Sequence, residues 1–526
     1  MLWVVIMFGS AKALAAIGSI ILGTSVVLIQ SVATAKTPVE INNTAQAITV
    51  MIAGENQGSG VIIQQQGNVY TVLTAAHVLK DGKYTAITPD NRQYQIVAGS
   101  IRKAGGNLDL AVFKFQATAN YPTAKLGRSS ILTGGNEIYV AGFPGVTSTI
   151  TTSVFVFRKG EVSANSSKTF EGGYSLIYSN DTLPGMSGGP VLNSEGELVA
   201  IHGRGDREQS NSGEPGAKTG FNLGIPIDRF LTIAGNLGVK LATPIVTNTA
   251  PKVSPAADAL AAALQKERQD DYQGAIVEYD RAITLDPRYA DAYIGRGFAK
   301  YKLSERSATR DALRSSAAID FSTAITLNPK SARGYNNRGN LYLEFKDWEY
   351  AIADFDRAIA IDPNYVDAYI GRGVAKESWP GAKASGMVDL NMALIIDPKS
   401  VRGYRSRANA RRDIDDNQGA IEDYTKVMIL APKLAIDYGG RGIAKFQLKD
   451  YKAAIADYNL ALNIDPNYAA AYYNRGLSKF EIGDRNGAIS DLQQARKILI
   501  KQGEGKTFKN DRIIRTLKKW QSTSRN

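Results

Sequence analysis

Three short stretches decide what the first half of this chain can be: Thr74-Ala75-Ala76-His77, Leu108-Asp109-Leu110-Ala111-Val112 and Gly185-Met186-Ser187-Gly188-Gly189-Pro190. In this order they supply an imidazole, a carboxylate and a hydroxyl set between glycines. The chain has only two histidines, and one of them lies in the first stretch. A serine hydroxyl becomes a nucleophile when an imidazole removes its proton and a carboxylate orients that imidazole. We therefore expect the three stretches to meet in the folded chain.

The sequence around these stretches has the pattern of short strands. From about residue 48 to residue 239, short apolar runs alternate with clusters of glycine, asparagine, aspartate and serine. This alternation is typical of all-β sandwiches and barrels. A short helix is expected to end the region near Asp228–Gly235. The predicted strands include Val61–Ile63, Val69–Thr74, Ala111–Phe115, Ile138–Ala141, Ser175–Tyr178 and Leu198–His202.

Residues 48–239 resemble the chymotrypsin-like (trypsin-fold) serine peptidases, because the three stretches match that family's motifs and follow its order of His, Asp and Ser. The resemblance implies a double β-barrel and serine endopeptidase activity without a cofactor. It implies catalytic roles for His77, Asp109 and Ser187. The glycines around Ser187 allow a tight turn, so that the backbone N–H groups of Gly185 and Ser187 can form an oxyanion hole.

Two alternatives remain for the specificity pocket. Thr182 and Asp181 precede Ser187 by five and six residues, and His202 follows it by fifteen. The spacings of Thr182 and His202 resemble the glutamyl-endopeptidase branch, in which these two side chains bind a substrate glutamate. Asp181 supports the opposite preference, a trypsin-like pocket for arginine or lysine, since a substrate carboxylate would be repelled by it.

Composition excludes several kinds of site. The 526 residues contain no cysteine, so neither disulfides nor cysteine-ligated zinc can form. The two histidines are far apart in sequence, which leaves no HExxH metal motif. We expect no metal and no cofactor. The net charge of +12 accompanies no nucleic-acid motif, and we interpret it as a solvated basic surface without a nucleic-acid partner.

The N-terminus has the composition of an export segment. Residues Met1–Gln30 are almost wholly apolar, with Lys12 as their only charge, and Ala33 and Ala35 form a small-x-small cleavage site. The apolar run is also long enough to span a bilayer if it is not cleaved. We therefore expect residues 1–35 to be a signal peptide or a membrane anchor, the latter in contact with the membrane. The remaining chain is expected to be exported, either periplasmic or secreted.

A second kind of pattern begins near residue 255. Prolines recur at intervals close to 34 residues, and a Tyr-x-x-Arg pair such as Tyr335/Arg338 follows each of them. This period is typical of stacked helical hairpins, and the small residues and prolines resemble the tetratricopeptide repeat (TPR) family. We predict a linker at residues 240–254, an all-α solenoid of about seven repeats at residues 255–500, and a basic capping segment at residues 501–526.

The repeats also suggest a binding surface. The positions that line the concave face of such a solenoid include Arg402, Arg405 and Arg412. A groove with a basic centre suits an acidic segment or a C-terminal carboxylate of a protein partner. The alternative interpretation is a solvated basic surface with ordinary packing.

Two functions from different classes follow. The first is an exported serine endopeptidase that acts on proteins or peptides and whose repeats recruit substrates or partners. The second is a protein–protein interaction scaffold in which the β domain is catalytically minor or inactive.

Overall fold

The computed structural model describes residues 36–55, 57–80, 82–145, 154–180, 182–207, 218–241, 254–305, 307, 309–379, 383–503 and 507–522. The expected signal or anchor at residues 1–35, most of the expected linker at residues 240–254 and Asp181 lie outside these ranges. Within them, no helix is both long and apolar enough to cross a membrane. Residues Lys36–Asn526 form one compact unit.

The chain enters its first sheet through a helix, α1 (Pro38–Ile48). Thr37 and Glu40 form a reciprocal capping box at its start, with Pro38 in the first turn. The helix buries Ile41, Ala45 and Ile48 against the barrels. The first domain therefore begins before the expected boundary at residue 48.

The first sheet has seven strands in the order β5-β4-β1-β2-β3-β7-β6. Ile96, just after β5, forms a bridge with Phe115 in β7, so the sheet curls towards closure. A 3₁₀ turn at Ala76–Val78 follows β3 directly. The strands are β1 (Thr49–Ala53), β2 (Gly58–Gln66), β3 (Val69–Ala75), β4 (Thr85–Ile87), β5 (Gln93–Gln95), β6 (Arg102–Lys103) and β7 (Leu110–Gln116).

The second sheet is a closed barrel in the order β10-β13-β12-β11-β8-β9. Helix α2 (Ile227–Ile233) follows its last strand, close to the short helix expected from the sequence. The sheet-rich half thus has the predicted fold class, which is confirmed. The strands are β8 (Glu137–Gly142), β9 (Val156–Asn165), β10 (Leu176–Tyr178), β11 (Pro190–Asn193), β12 (Leu198–Arg207) and β13 (Lys218–Pro226).

The second half is helical, and its consecutive helices pack as antiparallel pairs, which confirms the predicted all-α region. The last helix covers the apolar end of the array, where Trp520 stacks on Phe480 with ring centroids 4.2 Å apart. The helices are α3 (Pro255–Glu267), α4 (Tyr272–Leu285), α5 (Ala290–Ser304), α6 (Arg310–Leu327), α7 (Ala332–Phe345), α8 (Trp348–Ile361), α9 (Val366–Ser378), α10 (Lys383–Ile396), α11 (Val401–Asp413), α12 (Asn417–Leu430), α13 (Ala435–Gln447), α14 (Tyr451–Ile464), α15 (Ala469–Glu481), α16 (Arg485–Lys501) and α17 (Phe508–Ser522).

The structure explains the recurring Tyr-x-x-Arg pair. Arg338 donates two hydrogen bonds to Asp354, each 2.8 Å long, and a third to Ser322 in the preceding hairpin at 3.1 Å. The ring of Tyr335 lies 5.9 Å from its guanidinium. Each such arginine therefore joins two helices of one hairpin. Equivalent ion pairs are Arg296–Asp320, Arg372–Asp389, Arg407–Asp423, Arg441–Asp457 and Arg475–Asp491.

The first repeats pack directly on the second barrel. Asp258 in α3 accepts hydrogen bonds from Ser166 Oγ and from the Ser167 backbone N–H, both 2.8 Å long. Farther along, the guanidinium of Arg333 lies 3.5 Å from the ring centroid of Phe221 in β13. The helical and sheet-rich halves thus share a polar interface with a cation–π contact.

Candidate active site

The register of the first sheet brings the expected base and carboxylate together. Strands β3 and β7 are antiparallel neighbours, with Ala75 opposite Leu110. His77 follows β3 and Asp109 precedes β7, so both side chains emerge at the same edge. Asp109 Oδ2 lies 2.6 Å from His77 Nδ1, and Oδ1 accepts the His77 backbone N–H at 2.8 Å. Two contacts therefore fix the imidazole.

A third group holds the carboxylate, and the sequence analysis did not find it. The hydroxyl of Tyr174, a fully buried side chain, donates to Asp109 Oδ2. Burial alone would raise the pKa of Asp109, but hydrogen bonds from His77 and Tyr174 outweigh it and hold that pKa below its usual value. Burial and the nearby Asp109 charge raise the pKa of Tyr174, so its hydroxyl stays a donor.

Tyr174 fits because residue 203 has no side chain. A Cβ atom built on Gly203 would lie 1.8 Å from the Tyr174 ring. The guanidinium of Arg204 lies 5.1 Å from the centroid of the same ring. The pairing of Gly203 with Tyr174 depends on how two strands of the second barrel are placed, and no local motif signals it.

The expected nucleophile lies beside Gly203, just before β11. Ser187 Oγ donates a 2.6 Å hydrogen bond to the Gly203 carbonyl oxygen, which is the partner of this hydroxyl in the structure. The Ser187 carbonyl accepts the Ser59 backbone N–H at 2.8 Å. Ser187 is therefore tied to the first sheet through Ser59, and to the Tyr174 side of the site through Gly203.

Ser59, in the Gly58-Ser59-Gly60 stretch, also shapes the expected oxyanion hole. Its fully buried hydroxyl accepts the Phe143 N–H at 2.8 Å and donates to the Gly185 carbonyl at 3.1 Å. Gly185 has a φ of +100°, and a Cβ there would lie 2.3 Å from the backbone nitrogen of Gly145. A residue with a side chain would therefore displace this turn. Sequence reasoning noted the glycines but missed the role of Ser59.

The donors of the expected oxyanion hole are available. Within the described ranges, neither the Gly185 N–H nor the Ser187 N–H has a hydrogen-bond acceptor. Donors that are fixed in place before the reaction stabilise the charge that develops on a carbonyl oxygen. Unpaired N–H groups at these two positions are a requirement of the expected oxyanion hole.

The two expected pocket residues belong to the second barrel. Thr182 Oγ1 donates to Asn222 Oδ1, and Asn222 in turn donates to the Asn180 carbonyl. His202 is 2% exposed, and its Nδ1 lies 2.6 Å from the Tyr178 hydroxyl. Burial, with a smaller effect of the charge on His77, lowers the pKa of His202 to about 3. His202 is therefore neutral at physiological pH, and Asp181 lies outside the described residues.

The three arginines expected on the concave face have different surroundings. A groove of about 790 Å³ is lined by Arg402 and Arg405 together with residues of α5 to α11. Arg405 forms a two-pronged ion pair with the buried Asp437, at 2.6 and 2.9 Å. Arg402 is 48% exposed, and Arg412 lies 3.4 Å from the Tyr424 hydroxyl. The charge at the centre of the groove is therefore partly neutralised.

Comparison with known proteins identifies the families that the two halves of the chain resemble. A profile described as a trypsin-like peptidase domain matches residues 58–201. Profiles described as TPR repeat and tetratricopeptide repeat match residues 268–304, 442–483 and 332–365. A solved tetratricopeptide repeat protein from Parabacteroides merdae aligns with 51% of this chain and 98% of its own, at a TM-score of 0.39 and 18% identity.

Relatives of the sheet-rich half are serine proteases by name. A putative serine protease HhoA of Synechocystis is 32% identical over 192 residues, which cover 35% of this chain and 43% of the relative. A putative protease Do-like 14 of Arabidopsis thaliana is 30% identical, with 33% and 39% coverage. A probable periplasmic serine endoprotease DegP-like of Pseudomonas savastanoi is 31% identical, with 35% of each chain covered.

The aligned part spans less than half the length of these relatives. The profile match at residues 58–201 includes the edge at which Asp109 meets His77 and the loop that carries Ser187. The chain thus contains a trypsin-like peptidase domain followed by tetratricopeptide repeats, and this domain is homologous to those of HtrA and Do-like serine proteases.

Proposed function

We propose that this protein is an exported serine endopeptidase that hydrolyses peptide bonds through an acyl-enzyme intermediate, and that its repeats recruit protein substrates or partners. One observation carries the catalytic part. The Asp109 carboxylate accepts hydrogen bonds from the His77 ring, the His77 backbone and the Tyr174 hydroxyl. A carboxylate so held orients the imidazole and stabilises its protonated form.

The reaction begins with a rotation of the Ser187 side chain about its Cα–Cβ bond, from the Gly203 carbonyl towards His77. Oγ then attacks the substrate carbonyl carbon while its proton passes to His77 Nε2. The N–H groups of Gly185 and Ser187 bind the oxyanion. His77 returns the proton to the leaving amine, and a water molecule activated by the same imidazole hydrolyses the acyl-enzyme.

A fluorophosphonate probe tests this proposal because it modifies only an activated serine. We expect the full chain to be labelled and Ser187→Ala to be unlabelled. Asp109→Asn should slow labelling by about 10³–10⁴-fold, since the amide favours the wrong imidazole tautomer. If wild type is not labelled, or if Ser187→Ala is labelled equally, the interaction-scaffold function is the one that remains. The hydrogen bond from Ser187 Oγ to the Gly203 carbonyl is the observation that favours this alternative.

For the residue before the scissile bond we propose glutamate. A neutral His202 offers a hydrogen bond rather than a positive charge. If the Tyr178 hydroxyl donates to Nδ1, the proton of His202 is on Nε2, where it can be donated to a carboxylate. Peptide libraries with Glu, Arg or Leu at this position test the choice. Cleavage only after arginine would support Asp181 as the specificity residue instead.

The proposed location outside the cytoplasm rests on residues 1–35. N-terminal sequencing of the protein recovered from cell fractions tests it. We expect a mature chain that begins at Lys36, or an intact apolar segment in the membrane fraction. Recovery of the intact chain from the cytoplasm would contradict export.

The proposed partner surface is the groove that Arg402 and Arg405 line. Arg402 is the more exposed of the two, so Arg402→Glu should weaken capture of an acidic peptide. The same variant should leave fluorophosphonate labelling intact. Unchanged capture would exclude this surface.

A further inference from the structure

The repeats reach the peptidase site from two directions. On one side, Arg333 of α7 is 4% exposed and stacks on Phe221, the residue before the pocket residue Asn222. Its guanidinium also bonds Asp291 at 2.5 Å. This contact fixes the repeats against β13, the strand that also carries Asn222.

On the other side, Lys399 approaches the expected oxyanion hole. Lys399 lies in the turn between α10 and α11. A Cβ atom built on Gly145 would be 2.8 Å from Lys399 Nζ. The Gly145 N–H donates to the Pro184 carbonyl at 2.8 Å, and the other end of that same peptide group is the Gly185 N–H that would bind the oxyanion. The Lys399 ammonium therefore lies beside the loop over which a substrate must pass.

Within the described part of the chain, no carboxylate forms an ion pair with the Lys399 ammonium. Four acidic residues line the same groove. Asp397 accepts the Lys399 backbone N–H at 3.0 Å, and the other three are paired with other cations. Asp367 pairs with Arg402, Glu344 with Arg314 and Glu305 with Lys302. An unpaired ammonium at the junction of the groove and the active site is complementary to a carboxylate supplied from outside.

We propose that Lys399 is a substrate-binding residue of the peptidase and that it binds an acidic side chain close to the scissile bond. The proposal rests on the endopeptidase function and names its substrate class, which is polypeptide segments with Asp or Glu near the bond that is cut. The groove of about 790 Å³ that Lys399 helps to line takes the adjoining part of the same chain. The repeats are then one wall of the substrate cleft and not a separate tether.

Synthetic peptides test this inference in the full chain. The residue before the scissile bond is held constant, and Asp or Asn is placed in turn at each of the neighbouring positions on both sides. We expect one position at which Asp raises kcat/KM by about three- to tenfold over Asn in wild type, as for an ion pair at the rim of a binding site. In Lys399→Gln this ratio falls to about one.

A charge reversal separates recognition from a structural effect of the substitution. In Lys399→Glu, the same position should favour Lys over Asp, which a misfolded loop could not produce. Lys452→Gln, an exposed lysine outside the groove, serves as the matched control and keeps the wild-type ratio. If wild type cleaves the peptides with no preference for Asp at any position, the role of Lys399 is refuted and the endopeptidase function stands. If wild type cleaves none of them and resists the fluorophosphonate probe, both fail.

Discussion

The hydroxyl of Tyr174 offers the sharpest test of how the site works. Tyr174→Phe removes one hydrogen bond to the Asp109 carboxylate and leaves the buried ring in place. A hydrogen bond to a charged group contributes about 1.5–3 kcal/mol. Tenfold in rate corresponds to about 1.4 kcal/mol, so the rate of fluorophosphonate labelling should fall by about 10- to 100-fold.

The same substitution has a second effect, on stability at acid pH. Because the folded-state pKa of Asp109 lies below its unfolded value, this carboxylate stabilises the fold above the unfolded pKa. That stability is lost as the pH falls through the folded pKa. Without the Tyr174 bond the folded pKa of Asp109 rises towards its unfolded value, so the stability lost on acidification should be smaller and its loss should be complete at a higher pH.

Labelling rates and urea unfolding measure both effects. Tyr139→Phe is the matched control, since Tyr139 is also buried and its hydroxyl donates to Glu137. We expect the control to lose stability without the drop in labelling rate. Equal labelling rates for wild type and Tyr174→Phe would refute the assigned role of Tyr174.

Three other side chains can be tested in the same way. Ser59→Ala removes the hydroxyl that contacts both Phe143 and Gly185; at about 1 kcal/mol per lost bond, or about 2 kcal/mol for the two, fluorophosphonate labelling should slow by about 30-fold, whereas an unchanged rate would exclude a positioning role. His202 has a folded-state pKa of about 3 and an ordinary unfolded pKa, so between these two values only the unfolded chain binds a proton at this side chain. The free energy of unfolding should therefore fall by up to about 1.4 kcal/mol per pH unit from pH 6.5 towards 3. In urea titrations, His202→Gln should show a weaker dependence of the unfolding free energy on pH. Asp354→Ala removes the carboxylate to which Arg338 donates two hydrogen bonds, and it should lower the free energy of unfolding of the helical half by about 3 kcal/mol in thermal melts. An unchanged melting temperature would show that the pair contributes no more than a surface contact.

Motifs were sufficient to predict the fold class and to nominate His77, Asp109 and Ser187. The order of the three stretches and the period of the repeats are properties of the chain itself. The structure then places His77 against Asp109 because β3 and β7 are neighbours. The strand ends differ by a few residues from the predicted ones, as expected when the apolar pattern sets the core of a strand but not its limits.

Other features depend on contacts that no local pattern contains. Tyr174, which precedes β10, reaches Asp109 only because Gly203 in β12 leaves space for its ring. Arg405 was expected to be available to a partner, and it pairs with Asp437 of the next hairpin. Helix α1, by contrast, has a local signal in the sequence, since Thr37 and Glu40 have the spacing of a capping box and Pro38 lies in the first turn.

The arginine that follows each repeat tyrosine has a mechanical consequence. Arg372 bonds Asp389 in its own hairpin and Asp356 in the hairpin before it, and Arg296 contacts Asp320 and Asp280 in the same manner. The corresponding arginines of the other hairpins donate instead to an uncharged side chain of the hairpin before them, namely Ser322, Asn391, Thr425 or Asn459. Adjacent hairpins are thereby coupled by hydrogen bonds or ion pairs as well as by apolar packing. A stretching force applied to the two ends of the array would act on all of these bonds between hairpins. Such coupling favours extension in a single large step over unfolding one hairpin at a time.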